Sequence, residues 1–140
     1  MNNRDRYIRI MIIANKLYKA LGNVRIEQVS DNSYYDIIVS KPRYGCTFAA
    51  LVRGEDFVKS KEYKKYIINL NRADEAITVP LILFCVNVNR ETVRFGIISQ
   101  SDGNQHHLTS TSTMLMNTKG VNSFKKHIVS IDDRWNPNKL

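Results

Sequence analysis

The chain has 140 residues, which is the usual size of one domain and is sufficient for one hydrophobic core. With 43% hydrophobic and 24% charged residues, the composition excludes wholesale disorder, collagen-like repeats and long coiled coils. The formal net charge of +8 favours an acidic partner such as nucleic acid, but a solvated basic surface would give the same total.

The sequence shows no targeting signal or membrane span. The longest apolar run, residues 79–88, is interrupted by Pro80 and Asn87 and is too short to cross a bilayer. The first ten residues lack the features of a signal peptide, so we expect a cytoplasmic protein. Cys46 and Cys85 have neither a zinc-binding spacing nor a disulfide framework, and we predict buried free thiols.

A first helix is predicted over residues 4–21, because this stretch lacks Pro and Gly and is followed by Gly22. Its apolar face is predicted from residues that recur at helical spacing, namely Tyr7, Met11, Ala14, Tyr18 and Leu21. Isoleucines at positions 8, 10, 12 and 13 widen this apolar sector, which indicates cover on two sides. We expect a homodimer through this helix; the alternative cover is the C-terminal part of the same chain.

The next elements are predicted from alternating strand and helix patterns. They are three strands over residues 24–29, 34–40 and 46–52, an amphipathic helix over 56–70, and two strands over 79–87 and 92–99. The helix separates the third and fourth strands, so these two should be parallel, whereas strands joined by short turns should be antiparallel. The predicted fold class is therefore α/β (α+β), with a mixed central sheet flanked by helices.

After residue 99 the sequence shows weaker secondary-structure patterns. Residues 100–123 are polar and rich in Ser, Thr, Asn and Gly, which predicts a loop around one short strand over 111–116. A final element is predicted over residues 124–131. We therefore predict a single domain, with a core over about residues 4–99 and an extension over about 100–140.

A helix, a three-stranded meander with an Asp in the second strand, a crossover helix and a further strand resemble the core of the restriction-endonuclease-like, or PD-(D/E)XK, superfamily. The resemblance covers residues 4–99 and looks like a bacterial branch of uncharacterised domains. In that superfamily a metal is held by an Asp in strand two and an acidic residue in strand three, which stands two residues before a Lys. Here Asp36 matches the first position, whereas Leu51 and Arg53 stand at the other two.

These two departures determine what the resemblance implies. Leu51 offers no oxygen to a metal, and Arg53 keeps a positive charge but cannot act as a proton-accepting amine. The resemblance then implies a catalytically inactive domain without a metal or other cofactor. An isolated Asp in a strand is usually a turn-side or salt-bridged residue, and Arg53 is a candidate partner for Asp36. Such a domain would bind nucleic acid or a protein partner, in mobile-element or phage-related biology.

Two alternatives stay open. The first is a magnesium-dependent nuclease whose site has migrated to the crossover helix. Its candidate residues are Asp36, Glu55, Lys59 and Glu62. The second is a structural or interaction module with no nucleic-acid role.

Basic side chains that could contact phosphates occur in two sequence regions. The candidates are Lys41, Arg43, Arg53, Lys59, Lys61 and Lys65. Near the first two stand three tyrosines, Tyr34, Tyr35 and Tyr44, which could stack on bases or cover a core.

The three histidines do not predict a metal site. His106 and His107 are adjacent in the polar loop, where neighbouring side chains rarely point to one site, and no acidic residue falls at a ligand spacing from them or from His127. The sequence also lacks a nucleophile elbow and a phosphate-binding loop.

Overall fold

The centre of the molecule is a mixed sheet flanked by helices on both faces, which confirms the predicted fold class. A computed structural model describes residues 3–29, 34–71, 79–101, 105–108 and 113–136. Its helices are α1 (Asn3–Leu21), α2 (Lys61–Asn71) and α3 (Thr118–Ile131). Its strands are β1 (Arg25–Gln28), β2 (Ile37–Lys41), β3 (Cys46–Gly54), β4 (Leu81–Asn87), β5 (Thr92–Ser101), β6 (Gln105–Leu108) and β7 (Met114–Leu115). Short 3-10 helices span Phe57–Lys59 and Asp133–Trp135.

The strands are ordered β1-β2-β3-β4-β5-β6, and β7 also pairs with β5. β3 and β4 are parallel, with Ala49 opposite Leu81 and Gly54 opposite Val86. The β1–β2, β2–β3 and β4–β5 pairs are antiparallel. The parallel pair connected through α2 and the antiparallel pairs with short connections are therefore confirmed.

Alternate residues of β3 enter two hydrophobic layers. Phe48, Ala50 and Val52 pack with residues of α1 and α3, whereas Ala49 and Leu51 pack on the face that α2 covers. β3 and β4 are buried on both faces, as their nearly continuous apolar sequences predicted.

The predicted apolar face of α1 is partly wrong. Tyr7, Met11 and Tyr18 are 56%, 49% and 49% exposed, whereas the core contains another stripe of the same helix, with Ile13 and Leu17 at its centre. Both stripes have helical spacing, so the spacing alone does not indicate which one faces the sheet.

The second side of α1 is covered from within the chain by α3. Phe124 and Ile128 of α3 are buried in the same cluster as Ile13 and Leu17. The sequence analysis gave two alternatives for covering α1, a second subunit or the C-terminal part of the same chain, and this packing is the second one. The core therefore extends beyond residue 99 and includes the part of the chain predicted to be an extension.

The prediction of a loop over residues 100–123 is wrong, because most of the residues described in this range lie in strands or in α3. β5 continues to Ser101, and β6 forms within the polar stretch. Of the short strand predicted over 111–116, the described part is a strand at Met114–Leu115; positions 111 and 112 lie outside the described residues. α3 begins at Thr118, six residues before the final element was expected.

The start of α3 has a local explanation. The side chain of Asn117 caps the helix by accepting a hydrogen bond from the backbone N–H of Gly120 at 2.9 Å. Gly120 lies so close to the carbonyl oxygen of Leu115 that a Cβ at this position would overlap it. The Asn and Gly that suggested a loop are therefore a helix cap and a close packing contact.

Other boundaries shift by a few residues. β2 starts at Ile37 rather than 34, β3 continues through Gly54, and the predicted start of the second helix is the 3-10 helix Phe57–Lys59. In the part of the chain that the structure describes, no helix combines the length and apolar character needed to cross a bilayer.

Candidate functional site

Of the three positions singled out in the sequence, Asp36 lies directly before β2, and Leu51 and Arg53 lie in β3. The backbone N–H of Asp36 donates to the carbonyl of Ala50 at 2.8 Å, so contact with β3 continues one residue before the Ile37–Ala50 pair. Arg53 follows Leu51 by two residues and shares its face. The structure therefore brings Asp36 and Arg53 into contact, whereas Leu51 belongs to the apolar layer that α2 covers.

Protein groups already occupy the carboxylate of Asp36. Its Oδ2 accepts hydrogen bonds from the backbone N–H of Val52 at 2.7 Å and from Nη1 of Arg53 at 2.6 Å. Its Oδ1 lies 3.5 Å from Nη2 of Arg6. The Asp36 and Arg53 side chains are 14% and 30% exposed, so this ion pair is largely shielded from water.

Both arginines are held by further contacts. Nη1 of Arg53 donates to the carbonyl of Val52 at 2.8 Å, and the guanidinium lies 5.4 Å from the ring centroid of Phe57. Nη2 of Arg6 donates to the carbonyls of Asp36 at 3.2 Å and Val29 at 3.4 Å. The two guanidinium groups therefore bind the backbone around Asp36 as well as its carboxylate.

Leu51 has a structural role. Its side chain is 1% exposed and belongs to the apolar cluster that also contains Phe57, Leu70 and Leu83. A carboxylate at this position would be surrounded by apolar side chains in the present packing.

Asp36 and Arg53 border an open cleft of about 800 Å³ between α1, the end of β3 and the segment that leads into α2. Arg6 and Arg9 of α1 and Arg53 of β3 line it. Gly54 gives Arg9 room, because a Cβ there would lie 3.3 Å from Nη2 of Arg9. Arg6 and Arg9 were not among the predicted site residues; the available signal was the cluster of basic residues at positions 4, 6 and 9 near the start of α1.

The residues of the migrated-site alternative reach this cleft only in part. Glu55 and Glu62 line it together with Asp36, whereas Lys59 is exposed and does not line it. Glu55 accepts a hydrogen bond from Nδ2 of Asn87 at 2.8 Å. Among the described residues, no three His, Cys, Asp or Glu side chains come together as a metal-binding group.

The structure divides the basic candidates between the two ends of β3. Arg53 is near the carboxyl end, and the exposed lysines Lys59, Lys61 and Lys65 follow on the 3-10 helix and α2. Lys41 and Arg43 lie beside the other end of this nine-residue strand. At about 3.3 Å per residue the two ends of β3 are roughly 25 Å apart, so Lys41 and Arg43 do not form one patch with Arg53.

The tyrosines mostly cover apolar side chains. Tyr35 and Tyr44 each pack against one of the two core clusters. The carbonyl of Tyr34 accepts a hydrogen bond from the hydroxyl of Tyr66 at 2.8 Å, and burial raises the pKa of that hydroxyl. Only Tyr44 stands beside the basic hairpin, with Nζ of Lys41 5.8 Å from its ring centroid.

The other candidate groups do not add chemistry to the cleft. Cys46 and Cys85 are free and buried, as predicted, and burial raises the pKa of the Cys85 thiol to about 12, which makes it a poor nucleophile. His127 is exposed on α3. His106 and His107 lie in β6 rather than in a loop, which corrects their predicted position.

No family model, curated protein or solved structure matches this chain. The likeness to restriction-endonuclease-like proteins therefore rests on the order of the elements and on the positions of Asp36, Leu51 and Arg53, and it stays a prediction.

Proposed function

We propose that this chain is a nucleic-acid-binding domain with a restriction-endonuclease-like layout and without metal-dependent nuclease activity. The observation that carries the proposal is the contact of 2.6 Å between Nη1 of Arg53 and Oδ2 of Asp36. A divalent cation needs several oxygen ligands with accessible lone pairs. At Asp36, one oxygen already accepts two hydrogen bonds and the other faces the guanidinium of Arg6.

The loss of the second acidic position supports the same conclusion. Leu51 contributes to the apolar layer under α2, so it supplies packing where a nuclease would need a ligand. Glu55 and Glu62 stand on the side of the cleft formed by the segment into α2 and do not form a metal-binding group with Asp36. In this proposal a guanidinium supplies the positive charge at Asp36 that a metal supplies in an active nuclease.

Charge supports a nucleic-acid partner at this end of the sheet. Around the cleft, α1 and β3 contribute three arginines, and the exposed lysines Lys59, Lys61, Lys64 and Lys65 follow directly. These seven basic residues stand against four acidic ones, Asp36, Glu55, Asp56 and Glu62. The excess of positive charge favours a phosphate backbone that passes over the lysines and reaches the cleft.

Charge reversal at the lysines tests this proposal. We expect the double variant Lys59→Glu/Lys61→Glu to bind a short labelled DNA duplex at least about tenfold more weakly than the wild type at low salt. The slope of log affinity against log salt should also become shallower by roughly 1–2, because fewer counterions are released. Fluorescence anisotropy over a salt series measures both quantities, for duplex DNA, single-stranded DNA and RNA.

The control is the double variant Lys41→Glu/Arg43→Glu, which makes the same charge change beside the other end of β3. It should weaken binding less than the α2-side variant does. Equal losses in both variants would point to unspecific attraction by the net charge, and no binding by the wild type at low salt would favour the interaction-module alternative.

A second copy of the chain is a further proposed partner, through a smaller surface than the sequence suggested. α3 covers one side of α1, and the exposed apolar stripe that remains consists of Tyr7, Met11 and Tyr18. Stable interfaces usually bury about 800 Å² per partner, and three half-exposed side chains supply much less. We therefore expect weak self-association.

Light scattering over a concentration series measures this association. The mean mass should rise with protein concentration in the wild type and stay at the monomer value in Met11→Glu. Lys19→Glu, which also places a carboxylate at an exposed position of the same helix but is about 100° around the helix from the stripe, serves as the control. A monomer mass at every concentration in the wild type would contradict the homodimer.

A further inference from the structure

A second, smaller pocket lies beside the far end of β3. Its volume is about 260 Å³, and its walls come from the end of α1, the end of β2, the second half of α3 and the 3-10 helix that follows α3. Apolar side chains form most of the lining, with Leu21, Val129 and Trp135 as the larger ones. Two lysines, Lys41 and Lys125, also line it.

The aromatic wall of this pocket is already fixed. Trp135 is 2% exposed, and its ring centroid lies 5.3 Å from that of Phe48, which is fully buried in the core. Nζ of Lys41 lies 5.9 Å from the Trp135 ring centroid and 5.8 Å from that of Tyr44. A ligand would therefore meet the small exposed part of a positioned indole and a positioned ammonium group, with little reorganisation.

The polar part of the lining is cationic. Among the residues that the structure describes, the lining includes both lysines and no Asp or Glu. The nearby Asp132 binds Arg134 through two of its oxygens, with contacts of 2.7 Å and 2.9 Å, and this pairing holds the pKa of the Asp132 carboxyl below its usual range. This neighbouring carboxylate is therefore already paired with a cation outside the pocket lining.

The pocket is open beside Gly22. This residue has a φ of +79°, and a Cβ built on it would have no atom within 4 Å. Ligand pockets usually have volumes of about 300–1,000 Å³, so a pocket slightly below this range fits a ligand with one ring.

We propose that this pocket binds a small aromatic carboxylate. The ring would lie among Leu21, Val129 and Trp135, and the carboxylate would contact the ammonium groups of Lys41 and Lys125. The site is separate from the cleft at Asp36, so this proposal and the nucleic-acid proposal stand or fall independently. The proposal for this pocket rests on its apolar walls and its two lysines, which suit an anion that carries one apolar ring.

Phenylacetate is a suitable probe, and its neutral analogue phenylacetamide has nearly the same shape. The chain contains a single tryptophan, so the intrinsic indole fluorescence reports on Trp135 alone. We expect a saturable change in this fluorescence with phenylacetate and an affinity at least about tenfold lower for phenylacetamide, because the amide loses the charge-assisted contacts.

Two variants test the location. Lys125→Gln should weaken phenylacetate binding about fivefold, which is the effect of losing one partly exposed charge contact. The neighbouring exposed Lys126 does not line the pocket, so Lys126→Gln should bind like the wild type. Val129→Phe should fill the pocket and abolish the fluorescence response while circular dichroism stays native.

Three results would overturn the proposal. They are a lack of saturable response in the folded wild type, equal affinities for phenylacetate and phenylacetamide, and equal losses in Lys125→Gln and Lys126→Gln. If Val129→Phe does not fold, the comparison of the two lysine variants and of the two ligands still decides the outcome.

Discussion

Asp36→Ala is expected to lower the free energy of unfolding by about 3 kcal/mol, because it leaves polar groups in a shielded position without their acceptor. The backbone N–H of Val52 loses its partner at 2.7 Å, and the guanidinium of Arg53 loses its partner at 2.6 Å. Urea denaturation of the wild type and the variant measures the difference.

Two further variants make this result specific. Asp56→Ala removes an exposed carboxylate of the same cleft and should change the free energy of unfolding by less than about 0.5 kcal/mol. Asp36→Ala combined with Arg53→Met should lose less than the sum of the two single changes, because the double variant no longer leaves Arg53 unpaired. Equal effects of Asp36→Ala and Asp56→Ala would contradict a structural role for Asp36.

Phe124→Ala is expected to lower the free energy of unfolding by about 3–5 kcal/mol, the usual cost of deleting a fully buried aromatic side chain. Phe124 of α3 is fully buried, and its ring centroid lies within 5.3 to 6.2 Å of those of Phe48, Phe84 and Phe95. The deletion would leave a cavity where α1, α3 and the sheet meet. Thermal and urea denaturation followed by circular dichroism measure the loss.

Ile131→Ala is the matched control for this prediction, because Ile131 is an apolar residue of the same helix but is 43% exposed. We expect a loss of less than about 1 kcal/mol. A similarly small loss in Phe124→Ala would mean that α3 does not form part of the core, and the internal cover of α1 would then be wrong.

The central part of the fold could be predicted because its sequence signals are strong. β3 and β4 are nearly continuous apolar runs, and a helix lies between them, which predicts a parallel pair buried on both faces. α3 could not be predicted in this way. Its first turn contains Gly120 and follows Asn117, and both residue types usually indicate a loop unless the capping contact is known.

The candidate site was predictable in its strand positions but not in its partners. The resemblance singled out Asp36 and Arg53, and Arg53 was the candidate partner of Asp36, but the 2.6 Å contact between them depends on the register of β2 and β3, which the sequence did not predict. The contribution of Arg6 depends on how α1 packs against the sheet, and Tyr7 and Met11 suggested the wrong orientation of this helix. The separation of Lys41 from Lys59 likewise depends on the full length of β3, which extends two residues beyond its predicted end.

A cleavage assay tests the central claim most directly, namely that a guanidinium group occupies the place of a metal at Asp36. The wild type is incubated with linear, nicked and single-stranded DNA and with RNA, in Mg²⁺, in Mn²⁺ and in a chelator, while binding is followed in parallel. We expect every substrate to remain intact and the affinity to be the same in the chelator as in either metal at matched ionic strength. Cleavage that requires Mg²⁺ or Mn²⁺ and disappears in a folded Asp36→Asn variant would contradict the claim.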